Sequence, residues 1–398
     1  MSAPEDLLRR SLHAQAGRTT YQPTSALEVA RRARALQRSR TRRTVLVAAA
    51  AAAIVAVPAG LLLGSDGSER PPAPAGPTVT IGSLSELPTG APPGVDYLLG
   101  RTYVFADGDR VELDVEPGSV QDAAPYPDGV IVTRRSTGDP SGIADHLWFA
   151  RSGELEYGGC GGDELALSSD GELFAYARTL RGCDTWGRWP VLQWGDTDTM
   201  LGDPVHVGTL NGQRVEPVGV TKDRILYNAT ETTGSTLPPR VYTIDEVGVP
   251  VMVDGIVRAA AWDPTTERVA GCPSEGRCVV VGEADGEVQL TLDAGEEPLS
   301  FSPDGRYLAT AEGEGEEGRL TTLTVRDSRT GTVVVALTGD EVVVAGQDSV
   351  AWEGPAHLLI AHRGADGQGL VRLGVDGSAE LATAVGEATV GGYLLPGP

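Results

Sequence analysis

Short apolar segments with alternating character recur along the C-terminal three quarters of the chain, and turn-forming residues separate them. The clearest case is FSPDGRYLATA, residues 301–311, where a Pro-Asp-Gly turn lies between two apolar strands. Pro303 fixes φ, the Asp304 side chain bonds the nearby backbone, and Gly305 accepts a positive φ at little steric cost. A Thr-Gly turn between two more apolar stretches follows at 323–337. The pattern predicts four consecutive antiparallel strands.

The same turn position recurs at intervals of about 40–50 residues, which is typical of a β-propeller with four strands in each blade. The turns equivalent to that at Asp304 lie at Asp128, Asp170, Asp223, Thr265 and Pro355. Six turns predict six blades. The segment DYLLGRTYVFADGDRVELD can also pair with TVGGYLLP, near the end of the chain, and close a seventh. The expected fold is therefore mainly β, a β-propeller of six to seven four-stranded blades.

Residues 299–339 resemble a blade of the WD-repeat and TolB-like propeller families. The segment VRDSRTG stands where a WD-repeat strand carries its Trp-Asp pair, and that position is Arg326-Asp327 here. No Gly-His pair precedes any blade. The resemblance covers roughly residues 95–398. It implies a propeller that offers a binding surface, and it does not imply a particular ligand or activity.

A membrane-spanning helix is predicted at residues 45–63, VLVAAAAAAIVAVPAGLLL, which carry no charge. At 1.5 Å per residue this segment spans roughly 30 Å, about one hydrocarbon core. The preceding residues 1–44 form a basic stub with two predicted short helices, at 5–16 and 25–40. Arginines before the span and acidic residues after it place the N-terminus in the cytoplasm by the positive-inside rule.

Residues 64–94 are rich in Pro, Gly and Ser and predict a semi-rigid linker between the span and a propeller at residues 95–398. The expected location is the cell membrane, with a single pass and an extracytoplasmic propeller. A cleaved export signal is the alternative, because Thr41-Arg42-Arg43 resembles a twin-arginine signal. The frequent Ala, Gly and Arg and the single Lys fit a GC-rich genome.

Charge divides the chain into a basic stub and an acidic body. Residues 1–44 carry ten arginines and three acidic residues, net +7, while the rest carries 22 basic and 52 acidic residues, net −30. The body should therefore repel nucleic acid, and no nucleic-acid partner is expected. The stub is loosely similar to actinobacterial membrane proteins associated with sigma factors. That similarity implies a cytoplasmic partner for residues 1–44, although no Cys-His zinc motif is present.

Four cysteines predict two disulfides in an oxidising compartment. Cys160 and Cys183 are nearly equidistant from the Asp170-Gly171 turn, so they should face each other across a hairpin. Cys272 and Cys278 flank a short loop in the same way. Four buried thiols are the alternative.

No catalytic residue, metal ligand or cofactor site is predicted. No Ser has Gly at both flanking positions, and no P-loop or dinucleotide-binding motif occurs in a βαβ context. His357 and His362 lie five residues apart in one predicted strand, on opposite faces, so they are poor co-ligands. The chain is therefore not expected to be an enzyme. The alternative is a propeller hydrolase or lactonase with a metal ion in the central channel.

The candidate recognition loop is CDTWGRWP, which follows the first predicted disulfide and carries Trp186, Arg188 and Trp189. Aromatic residues and Arg are enriched at binding hot spots, although ordinary packing is the alternative for both tryptophans. The sequence predicts a non-catalytic binding or scaffold module outside the membrane, with a protein or glycan partner. A signalling or sigma-factor-associated role remains open.

Overall fold

In a computed structural model of the chain, the residues described are 76–116, 118–126, 129–135, 144–168, 173–179, 190–196, 213–231, 238–245, 249–312, 322–338, 349–364, 366–386 and 392–395. They belong to the second of two units, Pro71–Pro398. The predicted stub (1–44) and membrane-spanning segment (45–63) lie outside them. Within the described part, no helix is long and apolar enough to cross a membrane.

The described part is almost entirely β, with one 3₁₀ helix at Leu84–Glu86. Sheet I contains β27 (Tyr393–Leu394), β2 (Tyr97–Leu99), β3 (Thr102–Val104) and β4 (Arg110–Glu112). Sheet II contains β5 (Val120–Tyr126), β6 (Gly129–Arg135), β7 (Ala144–Ala150), β8 (Leu155–Leu167), β9 (Leu173–Thr179) and β10 (Pro190–Asp196). Sheet III contains β11 (Gln213–Val220), β12 (Arg224–Glu231), β13 (Arg240–Asp245) and β14 (Pro250–Val253).

Three further sheets complete the described strands. Sheet IV contains β15 (Arg258–Asp263), β16 (Arg268–Cys272), β17 (Val279–Gly282) and β18 (Val288–Thr291). Sheet V contains β19 (Glu296–Phe301), β20 (Tyr307–Glu312), β21 (Thr322–Asp327) and β22 (Val333–Thr338), with β1 (Thr78–Thr80) added beside β22. Sheet VI contains β23 (Val350–Glu353), β24 (His357–Gly364), β25 (Gly367–Gly374) and β26 (Ala379–Leu381).

The apolar cores lie between consecutive sheets, and this arrangement makes the fold a β-propeller. Sheets III and IV share one core and sheets IV and V share the next. Tyr97 and Val104 of sheet I pack with Leu359 and Leu370 of sheet VI, so the first and last sheets also share a core. The predicted mainly β propeller is confirmed, and the six described sheets correspond to six blades.

Ring closure follows the predicted pairing of the two ends of the domain. The C-terminal strand β27 supplies the first strand of sheet I, with Leu98 opposite Leu394 and Leu99 opposite Tyr393. The predicted Pro-Asp-Gly turn is also present. Gly305 has φ +67°, and the Asp304 carboxylate accepts a hydrogen bond from the Arg306 N–H at 3.1 Å.

Residues 76–94, within the predicted linker, pack against the blades. Strand β1 runs parallel to β22, with Thr78 opposite Ala336. Leu84 is fully buried in the core that sheets V and VI share. The packed body therefore begins before residue 95, because apolar residues that lie among the prolines bury their side chains between sheet edges.

Candidate functional site

The two edges of the blades differ in how the chain connects the strands. In sheets IV and V, the first and last pairs of strands join through tight turns at one edge, at residues 264–267, 283–287, 302–306 and 328–332. At the opposite edge, the second and third strands join through residues 273–278 in sheet IV and 313–321 in sheet V. We call the first edge the turn face, marked by Asp263 and Gly305. We call the second the connection face, marked by Arg258 and Cys272.

The connection face carries a cross-linked loop, Cys272–Cys278, which we call the stapled hairpin. Strand β16 ends at Cys272, β17 begins at Val279, and the two cysteines form the predicted disulfide. The Val257 N–H donates to the Cys272 carbonyl at 2.9 Å, and the Leu292 N–H donates to the Cys278 carbonyl at 2.9 Å. Both ends of the loop are thus fixed by a covalent bond and by neighbouring backbone.

The tip of the stapled hairpin projects polar side chains into solvent. Ser274, Glu275 and Arg277 are exposed, and Gly276 has φ +106°, a conformation that glycine adopts without strain. Arg258, opposite Cys272 in the sheet, is also exposed. A fixed loop with a hydroxyl, a carboxylate and a guanidinium can offer hydrogen bonds and charge to a partner at a small entropic cost.

The turn face carries charged groups that connect neighbouring sheets. Arg268 is buried and bonds Asp263 of its own sheet at 3.2 Å. The same guanidinium donates to the carbonyls of Gly305 (2.6 Å) and Ser328 (3.0 Å) in sheet V. All of these partners belong to the protein. The cluster therefore fixes sheet IV to sheet V and is not free to bind a ligand.

A second ion pair on the turn face joins sheets III and IV. Arg224 begins β12 and pairs with Glu283, which follows β17. The Trp262 indole N–H donates to the other carboxylate oxygen of Glu283 at 2.9 Å. Burial raises the pKa of the Glu283 carboxyl, and the Arg224 charge opposes that rise. The raised pKa of Glu283 is explained by the position of this carboxyl between two sheets.

The described residues contain no group of three or more His, Cys, Asp or Glu side chains arranged to hold a metal ion. His357 is exposed at the start of β24, and His362 is buried farther along the strand. Sequence reasoning missed the inter-sheet arginines Arg224 and Arg268. Their partners are distant in the chain, so no local motif could reveal them.

Two of the predicted site features lie outside the described residues. The loop with Trp186, Arg188 and Trp189 connects β9 to β10, and the strands on either side of it end at the opposed pair Thr179 and Pro190. The Cys160 side chain and Cys183 are likewise outside the described part, so the pairing of Cys160 with Cys183 stays a prediction.

No family model and no curated protein matches the sequence. Among solved structures, TolB from Acinetobacter baumannii is 15% identical, with 69% of this chain and 68% of that chain covered and a TM-score of 0.42. The Dos1 propeller is 12% identical, with 78% and 94% covered and a TM-score of 0.49. An acylaminoacyl peptidase from Pyrococcus horikoshii is 14% identical, with 71% and 47% covered and a TM-score of 0.47. Similarities with such low sequence identities and TM-scores support no conclusion about function. The fold is assigned from the sheets and cores of this chain.

Proposed function

We propose that this protein is a membrane-anchored, extracytoplasmic β-propeller that binds a protein or glycan partner through its connection face and catalyses no reaction. The observation that carries the proposal is the stapled hairpin, which holds three exposed polar side chains on a rigid scaffold. Binding residues are commonly found on loops that a rigid scaffold positions. The disulfide also suits an oxidising compartment outside the cytoplasm.

The charge pattern and the predicted topology support the same proposal. A net charge of −30 outside the stub disfavours nucleic acid and favours partners with neutral or basic surfaces. The uncharged segment 45–63 follows an arginine-rich stub, so the stub would lie in the cytoplasm. There it would be available to a cytoplasmic partner, such as a sigma factor or another signalling protein.

Partner capture tests the binding role. The full chain is expressed in its host, cross-linked on intact cells, and captured partners are compared with those of two paired variants. Glu275→Ala with Arg277→Ala changes the stapled hairpin. Lys222→Ala with Asp223→Ala changes an exposed turn on the turn face and serves as the matched control. We expect the hairpin variant alone to lose a partner that the wild type captures.

Three results would contradict the proposal. The first is equal loss of the partner in both variants, and the second is no specific partner for the wild type. The third is a stoichiometric bound metal ion in the purified protein together with hydrolysis of a lactone or ester, which would favour the enzyme alternative. A fluorescent reporter fused to the C-terminus tests the topology separately, because fluorescence in the cytosol would contradict an extracytoplasmic propeller.

A further inference from the structure

The segment that precedes β2 follows the outer edges of two blades. At its start, β1 pairs in parallel with β22, the last strand of sheet V. The Ala336 N–H donates to the Pro77 carbonyl at 3.1 Å, and the Ile81 N–H donates to the Thr338 carbonyl at 3.1 Å. An Ala at Gly76 would place its Cβ against the Val334 carbonyl, so the close approach requires glycine.

The same segment then pairs with the outer strand of the next sheet. The Leu381 N–H of β26 donates to the Pro88 carbonyl at 2.8 Å, and the Gly90 N–H donates to the Leu381 carbonyl at 2.8 Å. Between the two edges, Ile81 and Leu84 enter the core that sheets V and VI share. The segment thus satisfies backbone groups on two outer strands and closes part of an apolar core.

Arg372 of β25 fixes the end of the segment nearest to sheet I. Its guanidinium donates to the carbonyls of Ala91 (3.1 Å) and Pro92 (3.0 Å). The carboxylates of Glu353 and Glu380 hold the same guanidinium, and Glu353 also accepts a hydrogen bond from the Gly94 N–H. Bonds to two carboxylates orient the planar guanidinium. Arg372 can then present its remaining N–H groups to the two carbonyls.

The strand pairing that closes the ring directly, between β2 and β27, is short compared with the contacts of this segment. Within the described residues, strands β2 and β27 share two residue pairs, supplemented by the hydrogen bond from the Gly100 N–H to the Gly392 carbonyl at 3.0 Å. Strand β2 continues directly from the segment that Arg372 holds on sheet VI. Fixing that segment therefore also limits how far β2 can move away from sheet VI and from β27.

We propose that residues 76–96 act as a clasp that completes the closure of the propeller, and that Arg372 is the residue that positions it. The clasp links sheet I to the outer edges of sheets V and VI, so it holds the ring at the seam where the chain ends meet. This proposal concerns the closure of the ring and holds whether or not the connection face binds a partner.

Amide hydrogen exchange on the full chain tests the clasp through its own bonded amides, Gly90 and Leu381, and through Gly100 at the ring closure. In Arg372→Gln, we expect exchange at all three to become faster by on the order of tenfold. Arg326→Gln is the matched control, because Arg326 is a comparably buried arginine that bonds Glu296 and Asp293 and does not touch the clasp. It should leave the same three amides unchanged.

A second pair of variants tests the clasp far from Arg372. Gly76→Ala should speed exchange at the Ala336 and Gly100 amides, whereas Gly82→Ala should not, because a Cβ at Gly82 has ordinary room. Unchanged exchange at Gly100 in both Arg372→Gln and Gly76→Ala would overturn the proposal, since the clasp would then be uncoupled from ring closure. Equal effects of Arg372→Gln and Arg326→Gln would also overturn it.

Discussion

Arg224 and Glu283 form an ion pair between sheets III and IV in which the carboxylate is largely removed from water. Taking a carboxylate out of water is costly, and one arginine does not always compensate for that cost. Here burial outweighs the Arg224 charge, since the pKa of Glu283 is raised. The folded protein therefore holds the Glu283 proton more tightly than the unfolded chain does. Ionisation of this residue should weaken the fold even though its partner is a cation.

Glu283→Gln tests this effect through its pH dependence. A raised carboxyl pKa means that, for this group, folding is most favourable at low pH and loses free energy as pH rises from the ordinary value of 4.5 through the folded-state pKa. Gln imitates the protonated form and does not titrate. The unfolding free energy of the wild type minus that of the variant should therefore fall as pH rises through this range. Urea denaturation at several pH values measures it, and a difference that increases with pH would contradict the prediction.

Local chemistry was predictable at the residue level, and distant pairing was not. Asp304 and Gly305 form the predicted turn because everything that determines it lies within four residues. Arg326 was recognisable only as the residue in place of a tryptophan. Its hydrogen bonds to carboxylates run to Glu296 and Asp293, about 30 residues earlier in the chain. Only the packed fold brings those groups together.

Strand β8 gives sheet II an unusual form among the six sheets. It pairs with β7 through Leu155–Gly161 and with β9 through Gly161–Leu167, and its register shifts between Gly161 and Leu165. In a flat sheet β5 and β8 would lie three strands apart, roughly 14 Å. The Asp122 carboxylate of β5 nevertheless accepts a hydrogen bond from the Leu165 N–H at 3.1 Å. Sheet II therefore folds over at β8, and its two halves pack against each other.

A shared core supports this folding of sheet II. Ala124 and Tyr126 of β5 belong to the same buried cluster as Phe174 and Tyr176 of β9. Cores of this kind separate neighbouring blades elsewhere in the ring. Sheet II thus remains one of the six sheets, with its two halves packed on each other across this core.

Asp122→Ala tests the folded form of sheet II. Asp122 is buried and accepts hydrogen bonds from the N–H groups of Ala123 and Leu165. Its loss should cost about 1–3 kcal/mol in the free energy of unfolding, because the Leu165 N–H is left buried without this acceptor. Exchange of that amide should become faster. Asp114→Ala, at an exposed position, should change stability by less than about 0.5 kcal/mol. Unchanged exchange at Leu165 in Asp122→Ala would argue against the folded sheet.

At the scale of the whole molecule, the sequence predicted the ring and its closure, but it did not predict the packing of residues 76–94 against the blades. The regular spacing of the turns predicted the blades, and the predicted pairing of the first and last strand segments of the domain predicted that the ring closes. Residues 76–94 look like a spacer because eight of the nineteen residues are Pro or Gly. In this segment Val79, Ile81, Leu84 and Leu87 pack against the core of sheets V and VI, which distant strands form. No periodic pattern marks such a segment, so its packing emerges only with the assembled blades.

Two truncations distinguish a packed clasp from a spacer. A chain that begins at residue 76 keeps every contact described for the clasp, so its Tm should stay within about 2 °C of the Tm of the full chain.

A chain that begins at residue 97 loses the burial of Ile81 and Leu84, each contributing about 1.5–3 kcal/mol. It also exposes the edges of β22 and β26 and leaves Arg372 with carboxylates alone. We expect a Tm lower by roughly 5 °C or more and a tendency to associate through the exposed strand edges. Thermal denaturation with light scattering measures both effects. Equal Tm values for the two truncations would show that the propeller is complete from residue 97 and that the preceding segment is a spacer after all.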